Sequence, residues 1–154
     1  MSAVLEFAQE SYRTMNESDL PAVLSIERDA YEFPWSENIF RDCVRSNYEC
    51  WVIELDGKTI GYVVALIMVG ECHLLNLCIH SELQNQGYGR RALHKLLSFA
   101  KHKDATLAFL EVRPSNQSAK YIYESEGFNQ AGIRRNYYPA AKGREDALIM
   151  AKQL

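Results

Sequence analysis

Three features of this 154-residue sequence could do chemistry. The first is the run Gln84-Asn85-Gln86-Gly87-Tyr88-Gly89-Arg90-Arg91, which leads into the helix-like stretch ALHKLLSFAKHK. A loop that enters a helix leaves backbone N–H groups without intrahelical acceptors, and glycines let that backbone approach a diphosphate with no Cβ in the way. Arg90 and Arg91 would sit where cations oppose the helix dipole, an unfavourable contribution of about 0.3–1 kcal/mol each that an intervening anion would reverse. The same residues also read as an ordinary glycine-rich turn with solvated arginines.

The second feature is Glu111, the one charged residue of ATLAFLEV. Desolvation at the end of an apolar strand would raise its pKa toward the range of a general base, although a strand-end glutamate could equally reach water or pair with Arg113. The third is Tyr123. Its helical spacing from Ala119 and Ile122 makes it a core ring, yet a phenol can pack its ring and still present an O–H as a proton donor. Tyr121 lies about 200° around the same helix and cannot share that position. Asn116, just before this helix, is a natural N-cap.

The elements that must position these residues follow from hydrophobic period. A first strand is expected near Leu5 to Tyr12. DLPAVLSIERDAY has helical spacing with Ser18 or Asp19 as cap, and SENIFRDCVRS repeats it with Ser36 as cap and Ile39, Phe40, Cys43 and Val44 on one face. The period then changes. Residues 49–79 are rich in β-branched and aromatic types, and Asp56-Gly57 with a second break at Gly70-Glu71 predicts three consecutive antiparallel strands. The second half alternates: a helix with Leu93, Leu96, Leu97 and Ala100 on one face, the strand TLAFLEV ended by Pro114, a helix closed by Gly127, and strands near Phe128 to Arg134 and Asp146 to Lys152. The order β-α-α-β-β-β-α-β-α-β-β predicts an α/β (α+β) domain spanning 1–154, a mixed sheet with helices on its faces.

Composition narrows the partners. Hydrophobic residues make up 47% and charged residues 24%, a globular balance, and the formal charge of -3 argues against a nucleic-acid surface. The N-terminus has no basic run leading into an apolar core, and no stretch reaches the roughly 20 apolar residues of a membrane span, so a cytoplasmic location is expected. Cys43, Cys50, Cys72 and Cys78 form no C-x-x-C pair and read as buried thiols. Cys72-His73 would point to opposite faces of a strand, so no metal site is expected.

GYGRRA also matches the dinucleotide fingerprint, with Glu111 at about the offset of a ribose-binding acid. Residues 80–86 separate the preceding strand from Gly87, however, and an antiparallel meander precedes that strand, whereas a dinucleotide fold runs its strand directly into the first glycine. A Walker A loop is absent from the sequence.

Gln84-x-x-Gly87-x-Gly89, placed between a central strand and the next helix, resembles the pyrophosphate loop of the GNAT superfamily of acetyl-CoA-dependent N-acetyltransferases. The element order matches over nearly the whole chain. Within that superfamily, FPWS, LEVRPSNQSAKYIYESEGF and IRRNYYPAAKGREDALIM resemble the RimI group, the ribosomal-protein-alanine N-acetyltransferases. The resemblance implies a mostly antiparallel six- or seven-stranded sheet flanked by four helices and splayed at its central parallel strands. It implies that acetyl-CoA is the co-substrate, held by Gln84, Asn85, Gln86, Gly87, Tyr88, Gly89 and Arg90, by backbone near Leu77, Cys78 and Ile79, and by Asn116. It further implies Glu111 as base, Tyr123 as proton donor, and RRNYYPAAKGRED as the loop facing the substrate. That substrate would be the basic N-terminal tail of the eighteenth small-subunit ribosomal protein, modified by a monomeric enzyme. A small-molecule amine, or acetyl-CoA binding without catalysis, are the competing functions.

Overall fold

The computed structural model describes residues 9–154. Its elements are β1 (Glu10–Thr14), α1 (Leu20–Ala30), α2 (Glu37–Arg45), β2 (Glu49–Leu55), β3 (Lys58–Met68), β4 (Glu71–Ile79), α3 (Tyr88–His102), β5 (Leu107–Val112), α4 (Gln117–Ser125), β6 (Asn129–Pro139) and β7 (Arg144–Gln153). The expected order is present, with short 3-10 turns added at Glu17–Asp19 and Ser81–Leu83. The expected first strand is β1, shifted toward the C-terminus; the Leu5 to Ala8 part of that expectation lies outside the described residues. No described helix is long and apolar enough to cross a membrane.

The seven strands form one sheet in the order β1-β2-β3-β4-β5-β7-β6, and β4–β5 is its one parallel pair. Asp56 and Gly57 both take positive φ, as a two-residue hairpin turn with the twist of its strands requires. On one face α3 buries Leu93, Leu96 and Ala100 against Val63, Ala65, Leu74 and Leu110. The opposite face is covered over β2 to β4 by α1 and α2, through Leu20, Val23, Leu24, Phe40 and Cys43 on Val52, Tyr62 and Val64. Fully burying one such side chain contributes about 1.5–3 kcal/mol, so each helix is anchored chiefly by its apolar stripe. Ile39, expected on that stripe, is instead 43% exposed, while Phe40 and Cys43 are buried and Val44 packs at the edge of the same cluster.

The register contains the feature that makes the site. Val64 pairs with Asn76 and Ala65 with Leu74, which leaves Leu75 as an extra residue in β4. Such a bulge bends its strand and increases local twist. The parallel ladder with β5 stops at the same level, at Leu74 opposite Leu110, while β4 runs on to Ile79 beside β3 and β5 runs on to Val112 beside β7. Beyond Leu74 the two central strands therefore diverge.

Candidate active site

The wedge between the diverging strands is a cavity of about 180 Å³. β5 contributes Glu111 to its wall, α4 contributes Tyr123, the N-cap of α4 contributes Asn116, and α1 with its following turn contributes Glu27 and Tyr31. Tyr138 of β6 closes another side. Glu111 and Tyr123, singled out separately in the sequence, thus line one cavity.

Leu77, Cys78 and Ile79 lie on the open stretch of β4. The Tyr31 hydroxyl donates to the Leu77 carbonyl at 3.3 Å, and the Gln84 side-chain amide donates to the Ile79 carbonyl at 3.0 Å. Gln84 therefore ties the loop to the end of β4. The Cys78 thiol is buried in the α1 cluster, where burial pushes it up to about 11.

After Gln84 the chain turns through Asn85 and Gly87, both at positive φ, and α3 starts at Tyr88. The first helical bond at this end runs from the Arg91 N–H to the Gly87 carbonyl at 3.0 Å, so the N–H groups of Tyr88, Gly89 and Arg90 precede the intrahelical ladder. Among the described residues no side chain caps this end. Gly87 is fixed by its φ of +89° and by the Arg91 guanidinium, which a Cβ would meet at 2.6 Å. Gly89 is different: a Cβ there would touch only Ile79 Cγ1, at 3.7 Å, so nothing in the folded chain requires glycine. The arginines do not project freely. Arg90 reaches back to Glu126 and Ser125 near the end of α4, and Arg91 pairs with Glu10 of β1 at 2.9 Å and lies over the Tyr88 ring. Their charge is compensated by carboxylates from distant parts of the chain, which replaces the expectation of cations set against an anion.

Glu111 is 8% exposed at its side chain and does not pair with Arg113. Its Oε2 shares a 2.6 Å hydrogen bond with His73 Nε2 on β4, and its Oε1 lies 3.3 Å from Arg134 Nε on β6. Burial would raise the carboxyl, but the His73 hydrogen bond and charge, with Arg134 behind them, outweigh it and hold Glu111 below the ordinary glutamate value. The expected rise from desolvation is thus reversed. Arg113 instead donates to the Pro139 carbonyl at 2.8 Å, pairs with Glu145 at 3.2 Å and lies over the Tyr138 ring, tying the end of β5 to the β6–β7 hairpin.

Tyr123 packs edge-on against Phe128, and burial pushes its phenol up to about 12, which keeps it protonated at neutral pH. Tyr121 points away and is 68% exposed. Asn116 Oδ1 accepts from the Ala119 N–H at 3.3 Å, the capping bond anticipated from its position. The sequence reading missed Glu27, which is 2% exposed and carries no cation. Its carboxylate accepts from the Tyr62 hydroxyl at 2.6 Å, Asn76 Nδ2 at 2.8 Å and the Trp35 N–H at 2.9 Å, which fixes the turn after α1 to the sheet. In the sequence His73 is weighed only as a metal ligand and Arg134 only within the loop facing the substrate, not as partners of Glu111.

The Acetyltransferase (GNAT) family model matches residues 9–128. The chain is 40% identical over 138 residues to the [ribosomal protein bS18]-alanine N-acetyltransferase of Escherichia coli (strain K12), covering 90% of this chain and 93% of that one. It is 34% identical over 142 residues to the enzyme of the same name from Haemophilus ducreyi (strain 35000HP), covering 92% and 98%. Among solved structures, the ribosomal-protein-S18-alanine N-acetyltransferase from Escherichia coli superimposes with a TM-score of 0.88 at 38% identity, over 94% of each chain. A sheet parted at its one parallel pair, an uncapped glycine-flanked helix end and this extent of likeness place the chain in the GNAT family of N-acetyltransferases.

Proposed function

We propose that the chain transfers the acetyl group of acetyl-CoA to the N-terminal α-amine of a protein, with the terminal alanine of ribosomal protein bS18 as its substrate. The relatives just described carry that activity in their names and are matched over nearly their full length. The observation that carries the reading is the meeting of Glu111 and Tyr123 on one cavity wall, beside the unpaired stretch of β4.

The residues fit acetyl-CoA. The free N–H groups of Tyr88, Gly89 and Arg90 converge at an end with no side-chain cap, where a diphosphate is favoured by the helix dipole. Asn85, Gln86 and Gly87 shape the approach, Gln84 holds the loop against β4, and Asn116 stands at the opposite wall. Bound there, acetyl-CoA supplies an activated acyl group on a thiol that leaves once protonated. The Leu77 and Ile79 carbonyls are held by Tyr31 and Gln84, so along Leu77, Cys78 and Ile79, where β4 has no β5 partner, backbone N–H groups are what the chain offers the acyl and pantetheine portion, and a donor aimed at developing negative charge lowers the barrier.

An α-ammonium has an unperturbed pKa of about 7.7–8.0, so the nucleophile has to lose a proton near neutral pH. Glu111, ionised and nearly buried, accepts it. Tyr123, kept protonated by its burial, supplies the proton to the departing sulfur. The cavity, of about 180 Å³, is small, which suits a small terminal residue such as alanine.

Mass spectrometry of a peptide with the bS18 N-terminus, incubated with acetyl-CoA and the protein, should show one acetyl group on the α-amine. An unmodified peptide alongside an acetylated polyamine or aminoglycoside would replace this reading with a small-molecule one. Neither product, together with tight acetyl-CoA binding, would indicate a binding module.

A further inference from the structure

We propose that His73 is a positioning residue for this reaction: acting through Glu111, its imidazole sets where that carboxylate points and how readily it takes a proton. The proposal rests on the reading of Glu111 as the base. His73 occupies the penultimate rung of the parallel ladder, opposite Phe109, one residue before the strands part. Its ring stacks on Phe109 at 4.3 Å between centroids and 19° between planes, which fixes the imidazole plane, and Nε2 lies 2.6 Å from Glu111 Oε2. Leu74 and Leu75 line the cavity, whereas His73 stands behind the carboxylate, 22% exposed at its side chain. It touches Glu111 and is not among the residues that line the cavity.

The two charge states of the imidazole have opposite effects. Neutral, it donates Nε2–H to Oε2 and holds the carboxylate in one orientation. Protonated, it forms an ion pair that favours the carboxylate and penalises the carboxylic acid that Glu111 must become on accepting the ammonium proton. Turnover is therefore lower when the imidazole is charged than when it is neutral. The other polar groups facing the pair are Arg134 and Tyr138 from β6, and the Tyr138 phenol is raised first by burial and then by the charge of Glu111. Across the ladders, Leu66 of β3 opposite His73 and Ile149 of β7 opposite Glu111 are apolar, and Cys72 is buried on the other face.

The test is the pH dependence of kcat and KM for three proteins with one peptide, so that titration of the peptide amine is common to all. His73→Gln keeps an N–H donor that cannot charge; His73→Ala removes donor and charge together. His73→Ala should lower kcat about tenfold, a fraction of the roughly 10²–10⁴-fold that a positioned base contributes, with KM for acetyl-CoA unchanged. His73→Gln should regain most of that loss and show a shallower fall of kcat on the acid side than the parent. Superimposable profiles for His73→Gln and the parent would overturn the proposal, as would parental turnover in His73→Ala. If His73→Ala fails to melt cooperatively, the near-isosteric glutamine variant decides alone. Glu111→Gln is run alongside. Loss of activity there with parental behaviour in both histidine variants removes only the role of His73, whereas parental activity in Glu111→Gln removes the base itself.

Discussion

The two walls of the cleft are built from different materials. The wall at the start of α3 is backbone: two positive-φ residues, Asn85 and Gly87, an end without a side-chain cap, and arginines already paired to Glu126 and Glu10. The wall at the end of β5 is side chains held by other side chains: Glu111 by His73 and Arg134, Arg113 by Glu145 and Tyr138, and Asn116 closing the first turn of α4. The contrast teaches a division of labour. Main-chain amides suit a group common to every turnover, such as a diphosphate, because few substitutions can remove them. Proton movement needs titratable groups whose surroundings adjust them.

Substitutions should separate the walls sharply. Glu111→Gln keeps shape and removes charge, and kcat near neutral pH should fall by about a thousandfold, within the range for a positioned general base, while acetyl-CoA affinity by calorimetry stays at the parental value. Turnover that survives would leave the side-chain wall without its proposed chemistry. Gly89→Val does the converse. A Cβ there meets only Ile79, at ordinary van der Waals distance, so the chain should keep a cooperative melt while acetyl-CoA binding weakens about a hundredfold, equivalent to losing one or two charge-assisted hydrogen bonds. Parental affinity would show that the anion sits elsewhere.

Tyr123→Phe should slow transfer roughly tenfold with little change in stability, because the ring and its packing on Phe128 remain. A large drop in Tm with parental kcat would make Tyr123 a core residue only. Asn116→Ala should cost about 1 kcal/mol through the lost cap, or about 3 °C in a chain of this size, read by thermal melting. If KM for acetyl-CoA rises as well, Asn116 belongs to both structure and site, and the wall it stands on is less purely concerned with protons than the comparison suggests.

Local patterns made much of this visible in the sequence. Asp56-Gly57 specifies its own turn, Ser36 and Asn116 cap the helices they precede, and Leu93, Leu96, Leu97 and Ala100 mark the buried stripe of α3, because each signal acts within a few residues. What stayed hidden depends on register across the sheet. His73 and Glu111 are 38 residues apart and meet only because β4 and β5 pair in parallel with Cys72 opposite Ala108. Arg91 finds Glu10 across 81 residues, which no reading of the loop alone could anticipate. The direction of the Glu111 shift was missed for the same reason: desolvation is legible in an apolar neighbourhood, but the histidine that outweighs it lies on another strand.

The extra residue at Leu75 has a consequence for how a ligand arrives. Because the count of residues in β4 already forces its far half away from β5, a thioester bound as proposed would break no β4–β5 bond on entry, and its arm would lie along β4 in the manner of an added strand. Deleting Leu75 would let β4 zip onto β5 toward Val112, leaving a tidier sheet with no doorway.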